Sequence, residues 1–299
     1  MAWGTKVVAV VCLVAGLAAA EQTPDAASVL AKAREALGGE KKLSAIKTIV
    51  AQGQTRQIRG DNLVPIVFEI NIELPSKYAR RDETPAVESG YTTAGFSGDD
   101  LIQLPIPAMP VMPPMAQRPG GPPPPTPEQM AAQLAAQRKA RVGTLKQDYA
   151  RLMLGLFAAS TDAFPLTFKR TGIAESPQGK ADLIEATGPN NFKVNFLINQ
   201  ETHLPVMISW TPPPPPARPG AQAPGRPAGA APAAPGAPAA APAAPPEQRL
   251  YFADFRDAGG VMWPYRIRRA VGPDTTEETT FDRFKLNSKI DPRKFEVVK

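Results

Sequence analysis

Very few side chains in this 299-residue sequence could carry out covalent or metal chemistry, and their spacing argues against it. His203 is the sole histidine, placed in Thr202-His203-Leu204-Pro205 beside Glu201, which reads as a turn rather than as a partnered general base. Cys12 is the sole cysteine and lies inside an apolar N-terminal run. Val11 precedes it where lipid attachment would call for a small residue. Once that run is removed, no thiol nucleophile, disulfide or thiolate metal site remains. Gly95-Phe96-Ser97-Gly98 lacks the Gly-x-Ser-x-Gly spacing of a nucleophile elbow and reads as a strand end before a turn. Asp99-Asp100 lacks the ligand ladder of a calcium loop, so a solvated turn is expected. One histidine and no mature cysteine leave zinc without a ligand set. No catalytic residue, metal or cofactor is expected. Arg269 is the exception worth following, because its strand pattern places a charge on the same face as Trp263, Tyr265 and Ile267.

The elements that carry these residues are mostly strands. A first helix is predicted from Thr23-Pro24, with Val29, Leu30, Ala33 and Leu37 at helical spacing and Gly38-Gly39 as the stop. From Thr48 the apolar period becomes two. The segment Val64–Leu74 is the clearest strand: Ile66, Phe68, Ile70, Ile72 and Leu74 share one face, while Glu69, Asn71 and Glu73 point to water. Thr126-Pro127-Glu128-Gln129 is a capping box opening a helix to about Ala158, with Gly143 as a plausible break into two. Its apolar stripe includes Met130, Leu134, Leu145, Tyr149, Leu152 and Leu156. Strands then resume, and in Phe192–Asn199 the residues Phe192, Val194, Phe196 and Ile198 alternate with polar ones. Short turns such as Gly188-Pro189-Asn190-Asn191 and Gly272-Pro273-Asp274 join the later strands. About eleven strands at this spacing describe a mainly β, α+β chain: a meander forming a strongly curved sheet or incomplete barrel.

Two inserts interrupt the strands. Of 36 prolines, 24 fall in Pro105–Pro125 and Pro212–Pro246. The second is nearly uncharged and rich in Pro, Ala and Gly, so it cannot pack a core. As polyproline II, at ~3.1 Å per residue, it would reach on the order of 100 Å. A passive spacer is the simpler reading, and docking to an aromatic-lined partner groove is the alternative. The domain plan is residues 1–20 as a signal peptide and 21–299 as one domain broken by inserts at 105–125 and 211–247. The signal reading rests on Lys6, the apolar run Val7–Ala19 and Ala18-Ala19-Ala20 before Glu21, with a retained N-terminal anchor as the alternative. Export to the periplasm follows, with cleavage near Ala20. Losing Lys6 would take the net charge from +6 to +5, spread without a dense basic block. That charge is compatible with transient contact with anionic head groups. No nucleic-acid reader motif is present, and nucleic acid is not an expected partner.

Several of these residues resemble one family. Ala36-Leu37-Gly38-Gly39, Leu43, Ile46-Lys47 and Gly53 at the start are similar to the opening of the LolA/LolB-like outer-membrane lipoprotein-sorting superfamily. So are Trp263-Pro264-Tyr265-Arg266-Ile267, Phe284-Lys285-Leu286-Asn287, Ile290-Asp291-Pro292 and Phe295 at the end, and the central Thr202-His203-Leu204-Pro205 turn. The resemblance implies an open antiparallel half-barrel whose concave face is covered by helices and whose cavity holds acyl chains. Under it, a cavity would be lined by Ile66, Phe68, Ile70, Ile72, Phe192, Val194, Phe196, Ile198, Trp263, Tyr265, Ile267 and Arg269. Leu145, Tyr149, Leu152 and Leu156 would form the lid. Arg269 could meet a lid carboxylate or a ligand head group, unless a bulge turns it outward. The expected function is a non-enzymatic carrier or chaperone for a lipid or lipoprotein acyl chain. The competing reading is an envelope scaffold with a fully packed sheet and partner-binding Pro-rich loops; an envelope hydrolase would need a carboxylate pocket that the sequence does not announce.

Overall fold

The computed structural model describes residues 24–85, 90–105, 126–176, 179–213 and 244–297. Residues 1–20, where a signal peptide is expected, and nearly all of both Pro-rich inserts lie outside the described residues. Helices α1 (Ala26–Ala36) and α2 (Glu40–Ser44) lead into five strands: β1 (Thr48–Arg59), β2 (Asn62–Glu73), β3 (Lys77–Glu83), β4 (Tyr91–Ser97) and β5 (Asp100–Leu104). Helix α3 (Pro127–Phe157) follows. Seven more strands complete the sheet: β6 (Thr167–Ser176), β7 (Gly179–Gly188), β8 (Phe192–Asn199), β9 (Pro205–Trp210), β10 (Gln248–Asp257), β11 (Met262–Val271) and β12 (Asp274–Leu286). A short 3₁₀ turn, Pro292–Phe295, ends the described chain's regular structure.

All twelve strands form one antiparallel sheet, ordered β5-β4-β3-β2-β1-β12-β11-β10-β9-β8-β7-β6. The sequence count of about eleven was therefore one short. Two meanders, β1–β5 and β6–β12, are stitched together where β1 meets β12, with Ile49 opposite Leu286 and Thr55 opposite Thr279. Strands β5 and β6 remain as free edges, so the sheet is not closed into a barrel. It is nevertheless strongly curved, since one helix, α3, touches β4 and β5 on one side and β9 and β11 on the other. Gly53 sits at the β1–β12 irregularity, where a Cβ would lie 2.1 Å from the Thr280 carbonyl oxygen. Only glycine fits at that point.

Three local expectations differ from the structure. Helix α1 begins at Ala26, later than the Thr23-Pro24 start expected, and is capped by Asp25, whose carboxylate accepts from the Ser28 backbone N–H at 2.8 Å; Thr23 lies outside the described residues. Helix α3 begins with the predicted capping box but runs unbroken through Gly143. There the missing side chain leaves room for Asn190, whose amide nitrogen would be 3.2 Å from an added Cβ. The outward face of β2 does not simply meet water. Asn71 is buried there, because the segment after β12 folds back over the convex face and packs Ile290 and Phe295 on Ala79 and Ile102.

Candidate functional site

The concave face is built by the alternation the strands impose. On β2, Ile66, Phe68, Ile70 and Ile72 are buried; on β8, Phe192, Val194, Phe196 and Ile198; on β11, Trp263 and Ile267, with Tyr265 half-buried. All of these except Ile66 belong, with α3 from Val142 onward, to one continuous apolar cluster. Leu145, Tyr149 and Leu156 of α3 are buried in it and Leu152 is half-buried. Aromatic side chains fill the remaining depth. Tyr149 stands edge-on to Phe96, with ring centroids 5.3 Å apart, and Phe157 meets Trp263 at 5.5 Å. At Gly155 helix and sheet approach so closely that a Cβ would lie 2.3 Å from the Phe252 ring. From Tyr149 to Phe157 the helix is buried on nearly every side, so it occupies the hollow that the sheet encloses.

The N-terminal part of α3 behaves differently. Every residue from 126 to 141 is exposed, including Met130 and Leu134. The predicted stripe thus covers the sheet only from Val142 onward, because the sheet does not extend beneath the earlier turns.

One part of the concave face is charged. A pocket of about 90 Å³ lies between α3 and the strands β2, β3, β10, β11 and β12. Arg80, Arg151 and Arg269 line it together with Asp148 and Glu277. The Arg151 guanidinium lies 4.1 Å from the Trp210 ring centroid and 5.2 Å from that of Phe192, and one of its terminal nitrogens donates to Asp148 at 2.9 Å. Its Nε is buried with no hydrogen-bond partner, as is the Trp263 indole N–H. Burial pulls the Arg151 pKa down to about 10; Asp148 opposes the shift and the charge of Arg269 adds to it. Arg80 donates through Nε to Asp82 at 2.7 Å and through Nη2 to Thr55 at 3.2 Å. The Thr55 hydroxyl in turn shares a 2.9 Å hydrogen bond with Thr279. Beside this group, burial raises the Tyr78 pKa to about 12.

Arg269 stays on the concave side. The register shift of β11 falls just after it, between Arg269 and Ala270. Its carboxylate partner is Glu277 of the neighbouring strand at 3.4 Å, while the lid carboxylate Asp148 is taken by Arg151. Sequence reasoning missed Arg80 and Arg151. The first had a readable signal, since Tyr78 and Arg80 alternate onto one face of β3. The second had none, because only complete enclosure of α3 buries its position.

The residues considered for catalysis lie elsewhere. His203 occupies a left-handed position, φ 57°, in the β8–β9 turn. Asp99 sits in the β4–β5 turn and pairs with Lys146 of α3 at 2.6 Å. Among the described residues no three His, Cys, Asp or Glu side chains gather as a metal site.

The architecture is an open antiparallel half-barrel whose concavity is occupied by a helix. The same fold is found in a LolA superfamily protein from Nitrosomonas europaea, which superposes with a TM-score of 0.51 at 13% identity, covering 92% of this chain and 98% of that chain. A DUF1329 family protein from Desulfovibrio piger gives a TM-score of 0.43 at 7% identity, covering 91% and 97% of the two chains. A domain assigned to the outer membrane lipoprotein-sorting proteins, from Vibrio parahaemolyticus, gives 0.44 at 7%, covering 90% and 97%. No protein-family model matches the sequence, and neither does any curated protein. Among the described residues no helix is long and apolar enough to cross a membrane.

Proposed function

We propose that this chain is a non-enzymatic periplasmic carrier or chaperone that shelters a lipid or lipoprotein acyl chain between the sheet and α3. The observation that carries this reading is the way the concave face is filled. Its lining is apolar across β2, β8 and β11, and its filling is helical: α3 from Val142 onward, with Val29, Leu30, Ala33 and Leu37 of α1 in the same cluster. Exchange of the contacts between α3 and the sheet for an alkyl chain is close to balanced. The seven large apolar side chains that α3 buries, at about 2 kcal/mol each, would give up about 14 kcal/mol. A chain of about sixteen methylenes, at ~0.8 kcal/mol each, returns ~13 kcal/mol. Binding and release then amount to a change between two packings of one element, with no covalent step. The apolar segment Val7–Ala19 and the small residues before Glu21 support export. Organic extraction of the purified mature protein followed by mass spectrometry should recover acyl lipid, and fatty-acyl probes should bind. An empty protein without affinity for such probes refutes the reading.

A second reading is favoured by the same tight filling. The pocket beside α3, at about 90 Å³, is below the ~300 Å³ at which ligand pockets usually begin. A sheet that stays packed would suit an envelope scaffold that meets protein partners through its Pro-rich inserts. Deleting residues 211–247 separates the two: lost partner capture with no lipid uptake in either form supports the scaffold, and unchanged lipid uptake supports the carrier.

A further inference from the structure

We propose that Arg80, Arg151 and Arg269 form a subsite for a compact oxyanion, a carboxylate or phosphate, at the charged end of the concave face. It would hold the head group of an amphiphile whose chain lies between the sheet and α3, and to that extent it rests on the carrier reading. Three arginines converge there from a helix and two strands, on a pocket of about 90 Å³ that has room for one small oxyanion.

Their hydrogen-bonding capacity is underused. Each guanidinium has five N–H donors. Arg151, whose side chain is only 9% exposed, donates to Asp148 and leaves its buried Nε without a partner. Arg80 uses two donors, to Asp82 and Thr55. Arg269 makes a long 3.4 Å contact with Glu277 and lies 5.8 Å from the Trp210 ring centroid. The carboxylates Asp148 and Glu277 also line the pocket, and Asp82 stands behind Arg80, so the cluster is nearly neutral overall. Attraction therefore comes from unfilled donors in a poorly solvated place rather than from net charge. Charge-assisted, forked hydrogen bonds from arginine are the strongest available to a planar or tetrahedral oxyanion. The apolar neighbours Ile70, Ile267 and Phe281 continue directly from the charged lining toward the concave core, as a head-and-tail ligand requires.

The test compares palmitate, the neutral hexadecanol and inorganic phosphate on the mature protein, by calorimetry and by the fluorescence of Trp210 beneath Arg151. The wild type should bind palmitate about tenfold or more tightly than hexadecanol. Arg269→Gln, at a half-buried position, should reduce that preference to within about twofold. Arg151→Met should do the same if it folds by circular dichroism; Arg269→Gln carries the test if it does not. Equal affinity for the two amphiphiles in the wild type, or a preference that survives Arg269→Gln, overturns the subsite. Phosphate binding that is lost in Arg269→Gln, with neither amphiphile bound, upholds an oxyanion site and refutes the acyl carrier instead. No binding of any of the three probes refutes both.

Discussion

The two faces of the sheet are covered by different means. The concave face meets α3 from Val142 onward and buries one continuous apolar cluster, with Phe96, Phe196, Trp263 and Leu154 wholly enclosed. The convex face is covered locally by the segment after β12, which packs Ile290 and Phe295 on Ala79 and Ile102 and is held by polar contacts. There Glu69 accepts from Gln52 at 2.6 Å and Asn71 at 2.9 Å and pairs with Lys294. Burial opposes ionisation of Glu69, but the hydrogen bonds from Asn71, Lys294 and Gln52 outweigh it and bring the carboxyl down to about 2. Period-two alternation gives each strand two faces; the apolar volume placed over each decides which one carries the stability.

The difference between the faces can be broken most severely at Leu154. Leu154→Ala should cost about 3 kcal/mol and lower Tm by roughly 6–12 °C in thermal unfolding, because the enclosed helix cannot collapse into the cavity. Phe295→Ala should cost less, about 1–2 kcal/mol, since a short terminal segment can detach while the sheet stays folded. Hydrogen exchange would then show lost protection on β3 and β4 with the α3 amides unchanged; equal loss on both faces would abolish the contrast. Glu69 sharpens it through pH. Its folded pKa lies below the unfolded value of about 4.3, so its contribution is complete above that value and fades as pH falls toward 2. Glu69→Gln should flatten the fall of the urea midpoint across that window. The smallest effect belongs to the exposed arm of α3, where Leu134→Ser should change stability by no more than about 0.5 kcal/mol.

Much of the sheet was legible in the residues. The alternation of Ile66, Phe68, Ile70 and Ile72 fixed the inward face of β2, and the Thr126 capping box fixed the start of α3. The illegible features depend on neighbours far away in sequence. Met130 and Leu134 fit the helical stripe as well as Leu145 does, yet only the reach of β4, β5 and β9 decides which of them is covered. Gly143 looks like a break until Asn190 is seen lying against it. Arg151 sits among polar and apolar residues alike, and its burial between Trp210 and Phe192 follows from the sheet wrapping the helix. For Arg269, pattern alone left inward and outward placements open, and the position of the bulge one residue later kept it inside.

Local order, then, was written into the chain: strand faces, the start of α3 and tight turns. Those features depend on bonds and contacts within a few residues. Folding in three dimensions decided whether the hollow is empty or occupied, which stretch of α3 occupies it, and that three arginines from β3, α3 and β11 meet at its charged end. Such meetings depend on curvature accumulated over twelve strands, a sum that no short window of residues contains.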